Sequence, residues 1–296
     1  MRQQHRAARA PAHPGKISAA ARGSRPSAPR RQTAATAPRA AGADPDYMLS
    51  LERGLAVIRA FGAGRGTLSV AEVAREVGIS RAAARRCLHT LSVLGYASGV
   101  NGAYELGPSV LTLGYAYLAS TPAARVAQPV LERVTERLHE SCSLAVLDGD
   151  DIVYIARSAT QRILSIGLSV ASRLPAYCTS MGRVLLAALP GDDLTRYLAR
   201  LVPARHTPRT IVQKRALRAE IDRVRQQGYA IVDEELELGL RSIAVPVRRA
   251  GDRIVAAVNI GVHAARFTPA TMERDFLPVL QAAAAEIGRS IGPVMR

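Results

Sequence analysis

The sequence predicts an α+β protein that opens with a winged helix-turn-helix and continues into a larger domain with an antiparallel sheet and flanking helices. Three observations carry that prediction. A capped helix, a three-residue turn and a second capped helix follow one another between residues 69 and 94. An Asn-Gly pair then sits between two short strand-like runs, the pattern of a two-residue hairpin. Beyond residue 121, hairpin signals alternate with helical ones, which favours an antiparallel sheet with helical cover over a doubly wound parallel one.

The segment before the first helix, residues 1–46, is Ala, Arg, Pro and Ser with almost no large apolar side chains. Such a composition cannot bury enough surface to offset its ordering entropy, so a disordered basic tail is expected there. It carries nine basic residues against Asp44 and Asp46, a net of +7 out of the +16 of the 296-residue chain. Overall basicity therefore says little about the folded part. The tail could serve as a sequence-blind arm on phosphates or be merely solvated, or translation could begin at Met48, where the folded pattern starts. Arg30 and Arg31 are followed by Gln-Thr-Ala-Ala rather than an apolar run, so no export signal is expected. Cys87, Cys142 and Cys178 lie far apart, which suits a reducing cytoplasm and argues against a disulfide framework. Nothing approaches the ~20 apolar residues of a membrane span.

From Met48 to Leu106 the winged domain (47–107) reads element by element. Leu51, Leu55 and Ile58 recur at helical spacing, and Gly62, Gly64 and Gly66 close that helix. Ser69-Val-Ala-Glu72 has the form of a capping box, followed by an apolar face of Val70, Val73, Ala74 and Val77. Gly78-Ile79-Ser80 makes the turn, with Ser80 placed to cap the next helix, about Arg81 to Leu94. Its apolar stripe is Ala84, Cys87, Leu88, Leu91 and Leu94, and Gly95 stops it. The wing is Tyr96–Val100, Asn101-Gly102 and Ala103–Leu106. A linker helix spans 108–120 with Val110, Leu111, Leu113 and Leu118.

The domain over 121–296 begins with a helix carrying Val126, Val130, Val134 and Leu138 at spacing four. Strands are predicted at 142–148, 151–157, 162–168, 229–233, 241–247 and 253–261, and helices near 180–189, 191–201, 213–227 and 270–291.

Set at 100° per residue, the second capped helix turns Ala82, Arg85, Arg86 and His89 away from its apolar stripe, with Arg81 at its exposed start. A helix in this position lays its first residues along the major groove. Arginine forks match guanine O6 and N7, and small Ala82 permits close approach to a thymine methyl. Ser69 and Ser80 suit phosphates as capping hydroxyls at helix starts, and Asn101 of the wing can meet the backbone or minor groove. Double-stranded operator DNA is the expected partner.

In the second domain, Ser172 to Val184 delivers a proline-fixed loop of small polar residues onto a helix starting near Ser180. Free amides at a helix start, with Arg162, Arg173 and Arg241 as charge partners, suit the carboxylate of a small organic acid. An enzyme is the alternative. Cys178 before a helix could act as a nucleophile if the fold brought His206 or His263 to it, or Asp233, Glu234, Glu235 and Glu237 could hold a hard cation or work as acid and base. Neither has the spacing of a known motif. His5, His13, His89, His139, His206 and His263 form no ligand set, so neither metal nor other cofactor is expected.

Several motifs together resemble the IclR family of bacterial regulators over residues 48–292. They are Leu51-Glu52-Arg53-Gly54-Leu55, Gly78-Ile79-Ser80-Arg81, Leu88-His89-Thr90-Leu91 with Leu94-Gly95-Tyr96, Thr179 to Ala187, and Gly228-Tyr229-Ala230 followed by Asp233-Glu234-Glu235. Arg162-Ile163-Leu164-Ser165 and Arg173 to Ser180 look most like the branch that controls the β-ketoadipate pathway. The resemblance implies a GAF-like effector domain, a linker helix used in dimerisation, and a homodimer or tetramer. It also implies an effector pocket made by residues 178–182 (Cys178, Thr179, Ser180, Met181, Gly182), Asp233, Ser242, and the strand at Asn259 and Gly261. Protocatechuate, 4-hydroxybenzoate or β-ketoadipate are the effectors it implies. Some members carry Ser or Thr where this chain has Ala82 and Ala83, Cys in place of Ser242, and Ser in place of Asn259 and Gly261.

Overall fold

The computed structural model describes residues 44–62, 66–160 and 168–291. Most of the predicted basic tail and most of the predicted 162–168 strand lie outside them.

Helix α1 (Leu49–Ala60), the short strand β1 (Leu68–Ser69), α2 (Val70–Val77) and α3 (Arg81–Val93) lead into the wing strands β2 (Ala97–Val100) and β3 (Ala103–Leu106). All three strands form one antiparallel sheet in the order β1-β3-β2. The capping box is present in full: Glu72 N donates to Ser69 Oγ at 3.3 Å, and Ser69 N donates to Glu72 Oε2 at 2.8 Å. Ser80 Oγ accepts from Ala83 N at 3.2 Å, starting α3. Gly78 ends α2 at φ 73°, while Asn101 and Gly102 hold φ 49° and 81°, the pair of left-handed conformations that a tight hairpin turn requires.

The core of this unit is Val57, Phe61, Leu68, Val73, Ala84, Leu88 and Leu91. That corrects two sequence expectations. Leu51 and Leu55 are exposed, at 59% and 41%, because α1 packs through Val57, Ala60 and Phe61 instead. Leu94 is 61% exposed because it lies past the last turn of α3, beyond the reach of α1 and α2. Helical periodicity locates an apolar face without saying what covers it. Helix α4 (Val110–Ser120) has the same property, with no buried residue and Leu111, Leu113, Tyr115 and Tyr117 exposed.

After α5 (Pro122–Leu138) come strands β4 (Ser141–Asp148), β5 (Asp151–Ser158) and β6 (Arg173–Pro175). A 3₁₀ turn (Ala176–Cys178) leads into α6 (Ser180–Ala187), α7 (Gly191–Arg200) and α8 (Lys214–Gln227). Strands β7 (Ala230–Asp233), β8 (Leu240–Arg248) and β9 (Ile254–His263) follow, then α9 (Pro269–Thr271), a π-helical turn (Met272–Phe276) and α10 (Leu277–Ser290). The stretch expected to be a proline-fixed loop thus includes an edge strand. Pro175 is tolerated there because an edge position needs no donor on its outer side.

The six strands form one antiparallel sheet, β6-β5-β4-β9-β8-β7. Helices α5 and α10 cover one face through Val130, Leu131, Val134, Leu280, Ala283 and Ile287. Helices α6, α7 and α8 cover the other. That second face is floored by Ala145, Ala257, Ala244 and Ala230, small residues that let α6 lie close to the sheet. No helix among the described residues is long and apolar enough to cross a membrane.

Replacing the capping serine tests this local account. Ser69→Ala should cost about 1 kcal/mol, read as a lower denaturant midpoint with unchanged slope and faster amide exchange in α2. Ser69→Thr, which keeps the hydroxyl, should restore most of the loss.

Candidate functional site

Two regions assemble functional residues. On α3, Arg81, Ala82, Arg85, Arg86 and His89 are exposed together while Ala84, Leu88 and Leu91 are buried. Cys87 is half-buried against the core. Asn101 stands exposed at the wing tip. Ser69 and Ser80 both have their hydroxyls committed to capping, Ser69 to Glu72 and Ser80 to the Ala83 amide. Five side chains of one face, three of them arginines, are therefore free of the core and available to a polyanion.

The second region is a cavity between the sheet and the start of α6. From α6 and the turn before it come Cys178, Thr179, Ser180 and Met181; from the sheet come Ser141, Ser143, Tyr154, Arg157, Val232, Ser242, Asn259 and Gly261. Leu168, Leu174, Leu236, Glu237 and Leu240 complete the wall. Strand register explains the polar floor. Ser143 pairs with Arg157 on β5 and with Asn259 on β9, giving one polar row across three strands. Ser141 pairs with Gly261, which pairs with Ser242, giving a second row one pleat away.

A β-bulge brings Arg157 into this site. In an unbroken strand Tyr154 and Arg157, three apart, would face opposite sides. The β4–β5 register shifts between Leu144 and Ala145, and such a bulge re-aims the side chains beyond it. Both residues consequently line the cavity. Alternation read from sequence gives no sign of this, so Arg157, Tyr154, Ser141 and Ser143 were not among the expected site residues. Burial pushes the Tyr154 phenol up to about 12, against the pull of the neighbouring Arg157 guanidinium, so the hydroxyl keeps its proton.

The cavity holds polar atoms without partners. Ser180 is 1% exposed and Asn259 8%, and neither Ser180 Oγ nor Asn259 Oδ1 has a hydrogen-bond partner among the described residues. Arg157 Nε is likewise buried and unpartnered, while its Nη1 donates to Ser143 Oγ at 2.9 Å. Buried polar groups normally find partners, so this lining keeps hydrogen-bonding capacity that the described residues do not use.

Other expected site residues are engaged elsewhere. Arg173 lies on the sheet edge, its Nη1 2.5 Å from Asp148 and its Nε 3.2 Å from Asp151. Arg241 donates to Asp233 Oδ1 at 2.7 Å and to the carbonyls of Ala264 and Phe267. Asp233 also receives Arg209 at 2.7 Å. None of these three lines the cavity. In each case a complementary charge within reach has claimed the group. Gly182 is a packing residue: a Cβ there would stand 2.1 Å from the Ala176 carbonyl oxygen. Arg162 lies outside the described residues.

Of the groups considered for catalysis, Cys178 is buried and Glu234 and Glu235 are hydrogen-bonded within the fold, while Glu237 lines the cavity. Burial pushes the Cys178 thiol up to about 12, reinforced by the Glu235 charge, which opposes thiolate formation. Glu235 accepts from Arg183 Nη2 at 2.7 Å and from Ile211 N at 3.1 Å, and Glu234 from Gly239 N at 2.7 Å. These carboxylates hold loops in place.

A thiol-labelling experiment checks the buried character of the site. Between pH 7 and pH 9, half-buried Cys87 should react with a small disulfide reagent well before Cys142 and Cys178, both buried and both pushed up to about 12 by that burial. Gly182→Ala should destabilise the domain by about 1–3 kcal/mol, the scale of an overpacked core, seen as a clear fall in melting temperature.

Comparison with known proteins places the chain. The model of the IclR helix-turn-helix domain matches residues 50–99, and that of the bacterial transcriptional regulator IclR C-terminal region matches residues 115–289. The chain is 52% identical over 245 residues to the Pca regulon regulatory protein of Pseudomonas putida, covering 82% of this chain and 84% of that protein. It is 37% identical over 247 residues to the p-hydroxybenzoate hydroxylase transcriptional activator of Acinetobacter baylyi, covering 82% and 91%. Among solved structures, an IclR homologue of Microbacterium hydrocarbonoxydans complexed with 4-hydroxybenzoate matches with a TM-score of 0.71 at 26% identity, covering 82% of this chain and 98% of that one. The chain belongs to the IclR family of bacterial transcriptional regulators.

Proposed function

We propose that this chain is a cytoplasmic, operator-binding regulator of aromatic-acid catabolism in the β-ketoadipate pathway, and that it senses a small organic acid. The DNA half of the reading rests on α3, where Arg81, Arg85, Arg86 and His89 share one exposed face. The sensing half rests on the cavity and its orphaned polar atoms at Arg157, Ser180 and Asn259. The named relatives from Pseudomonas putida and Acinetobacter baylyi, and the 4-hydroxybenzoate complex, supply the chemical class. Protocatechuate, 4-hydroxybenzoate and β-ketoadipate are the effectors to test.

Operator sites for such regulators come as paired half-sites, one or two helical turns apart, when the protein is a two-fold dimer. The homodimer is supported by apolar surface left uncovered in the single chain. Leu51 and Leu55 on α1, and Leu111 (75% exposed) and Tyr115 (72%) on α4, are left exposed by the described residues. Exposed large apolar side chains grouped this way mark an interaction surface. A tetramer would be a pair of such dimers.

Arg86→Ala should weaken binding to the protein's operator by roughly 5- to 100-fold, the range of a lost base-reading arginine. Unchanged binding at physiological salt would remove α3 as the reading helix. Leu111→Asp combined with Tyr115→Asp should convert the dimer to a monomer in sedimentation, with operator affinity falling in step.

A further inference from the structure

Building on that reading of the cavity as an acid-sensing site, we propose that Arg157 is the residue that anchors the effector's carboxylate. The ligand then lies with its charged end on the polar row of β5, β4 and β9, and its body over the gap left by Gly261.

The geometry leads there in steps. A carboxylate buried in a cavity needs a cation or several donors, because burying an unpaired charge is costly. Arg173 and Arg241 are already paired with Asp148, Asp151 and Asp233, and neither lines the cavity. Arg157 lines it, and among the described residues its side chain's one hydrogen bond is to a neutral hydroxyl, Ser143 Oγ. Its Nε is buried without a partner among the described residues. Guanidinium Nε and one Nη on the same edge form the fork that a carboxylate accepts bidentately.

The surroundings complete a carboxylate site. Ser180 Oγ, unpartnered and buried at the first turn of α6, is a donor. The field of the helix start favours a negative charge beside it. Asn259, on β9 in the same row, has its Oδ1 unpartnered among the described residues and can accept from a hydroxyl of the ligand rather than hold its carboxylate. The rest of the wall is mostly apolar, with Met181, Leu174, Leu236 and Leu240, and carries one acid, Glu237. Gly261 supplies the room: a Cβ there would meet nothing nearer than Leu240 Cδ1 at 4.0 Å. A side chain at that position projects into open cavity rather than into protein.

Calorimetric titration of the full-length protein with 4-hydroxybenzoate, protocatechuate and β-ketoadipate tests this, with 4-hydroxybenzoate methyl ester as the uncharged probe. Arg157→Gln should weaken binding of the acid roughly 10- to 100-fold and leave binding of the ester unchanged. Arg157→Lys should recover part of the loss, since it restores the charge without the fork. Gly261→Leu should abolish binding of acid and ester alike while retaining the melting temperature. If Gly261→Leu abolishes binding but Arg157→Gln binds the acid as tightly as the parent, the cavity is the sensor and Arg157 is not its anchor. If the parent protein binds none of the three acids, the acid-sensing reading fails and takes the anchor with it.

Discussion

A single buried arginine organises the effector domain. Arg183, 1% exposed, donates its Nε to the Tyr177 carbonyl at 3.1 Å and its Nη2 to Glu235 at 2.7 Å, with Glu220 3.6 Å from Nη1. One guanidinium thus ties together the turn before α6, helix α6 itself, the loop after β7 and helix α8. Glu235 is held in turn by the Ile211 amide, and its backbone carbonyl by Thr210 Oγ1 at 2.6 Å. Burying such a pair is not a cheap route to stability, since desolvation offsets most of the attraction. What the pair provides is placement. Removing either partner would strand a charge in the core, so α6 has one position, and Ser180 and Met181 arrive at the cavity with it.

Against this frame, the winged domain was readable from sequence because its determinants are local. A serine three residues before a glutamate, a glycine forced to positive φ, and Asn-Gly between short strands each act within a few residues. The antiparallel sheet was readable for a related reason, since hairpin turns announce the strands they join. The cavity was only half legible. Its helical side, Cys178 to Met181, and its strand positions Ser242, Asn259 and Gly261 came from family resemblance. Arg157 and Tyr154 did not, because a bulge changes the phase of β5 and no local residue pattern encodes it. Leu51 and Leu55 illustrate the converse: periodicity identified an apolar face that the chain itself leaves uncovered.

The arginines show why residue type alone could not pick out the ligand's partner. The chain carries 40 Lys and Arg against 24 Asp and Glu, so basic residues are too abundant for type alone to select one. Arg173 meets Asp148 and Asp151 because a tight β4–β5 turn sets both beside the end of β6. Arg241 meets Asp233 because the two are register partners across β7 and β8. Cross-strand opposite charges of this kind attract and neutralise each other. Arg157 occupies a row whose other members, Ser143 and Asn259, are neutral, so strand pairing leaves its charge uncompensated by that row. The difference between a strut and a binding group is therefore set by register, which is a property of the sheet and not of the residue.

Register also bears on how a signal leaves the cavity. The chain passes between the winged domain and the effector domain once, through α4 and α5. Gln128 Nε2 on α5 donates to the Arg157 carbonyl at 3.3 Å, and Thr135 Oγ1 donates to the Ser158 carbonyl at 3.4 Å. The strand that lines the cavity is thus bonded directly to the helix that continues into the linker. A ligand changes operator affinity only to the extent that it binds two arrangements of the protein unequally. Contacts made equally in both arrangements hold the ligand without moving anything. The contacts that matter for regulation must differ between the arrangements, and those on β5 stand one hydrogen bond from the sole covalent connection to the DNA-reading half.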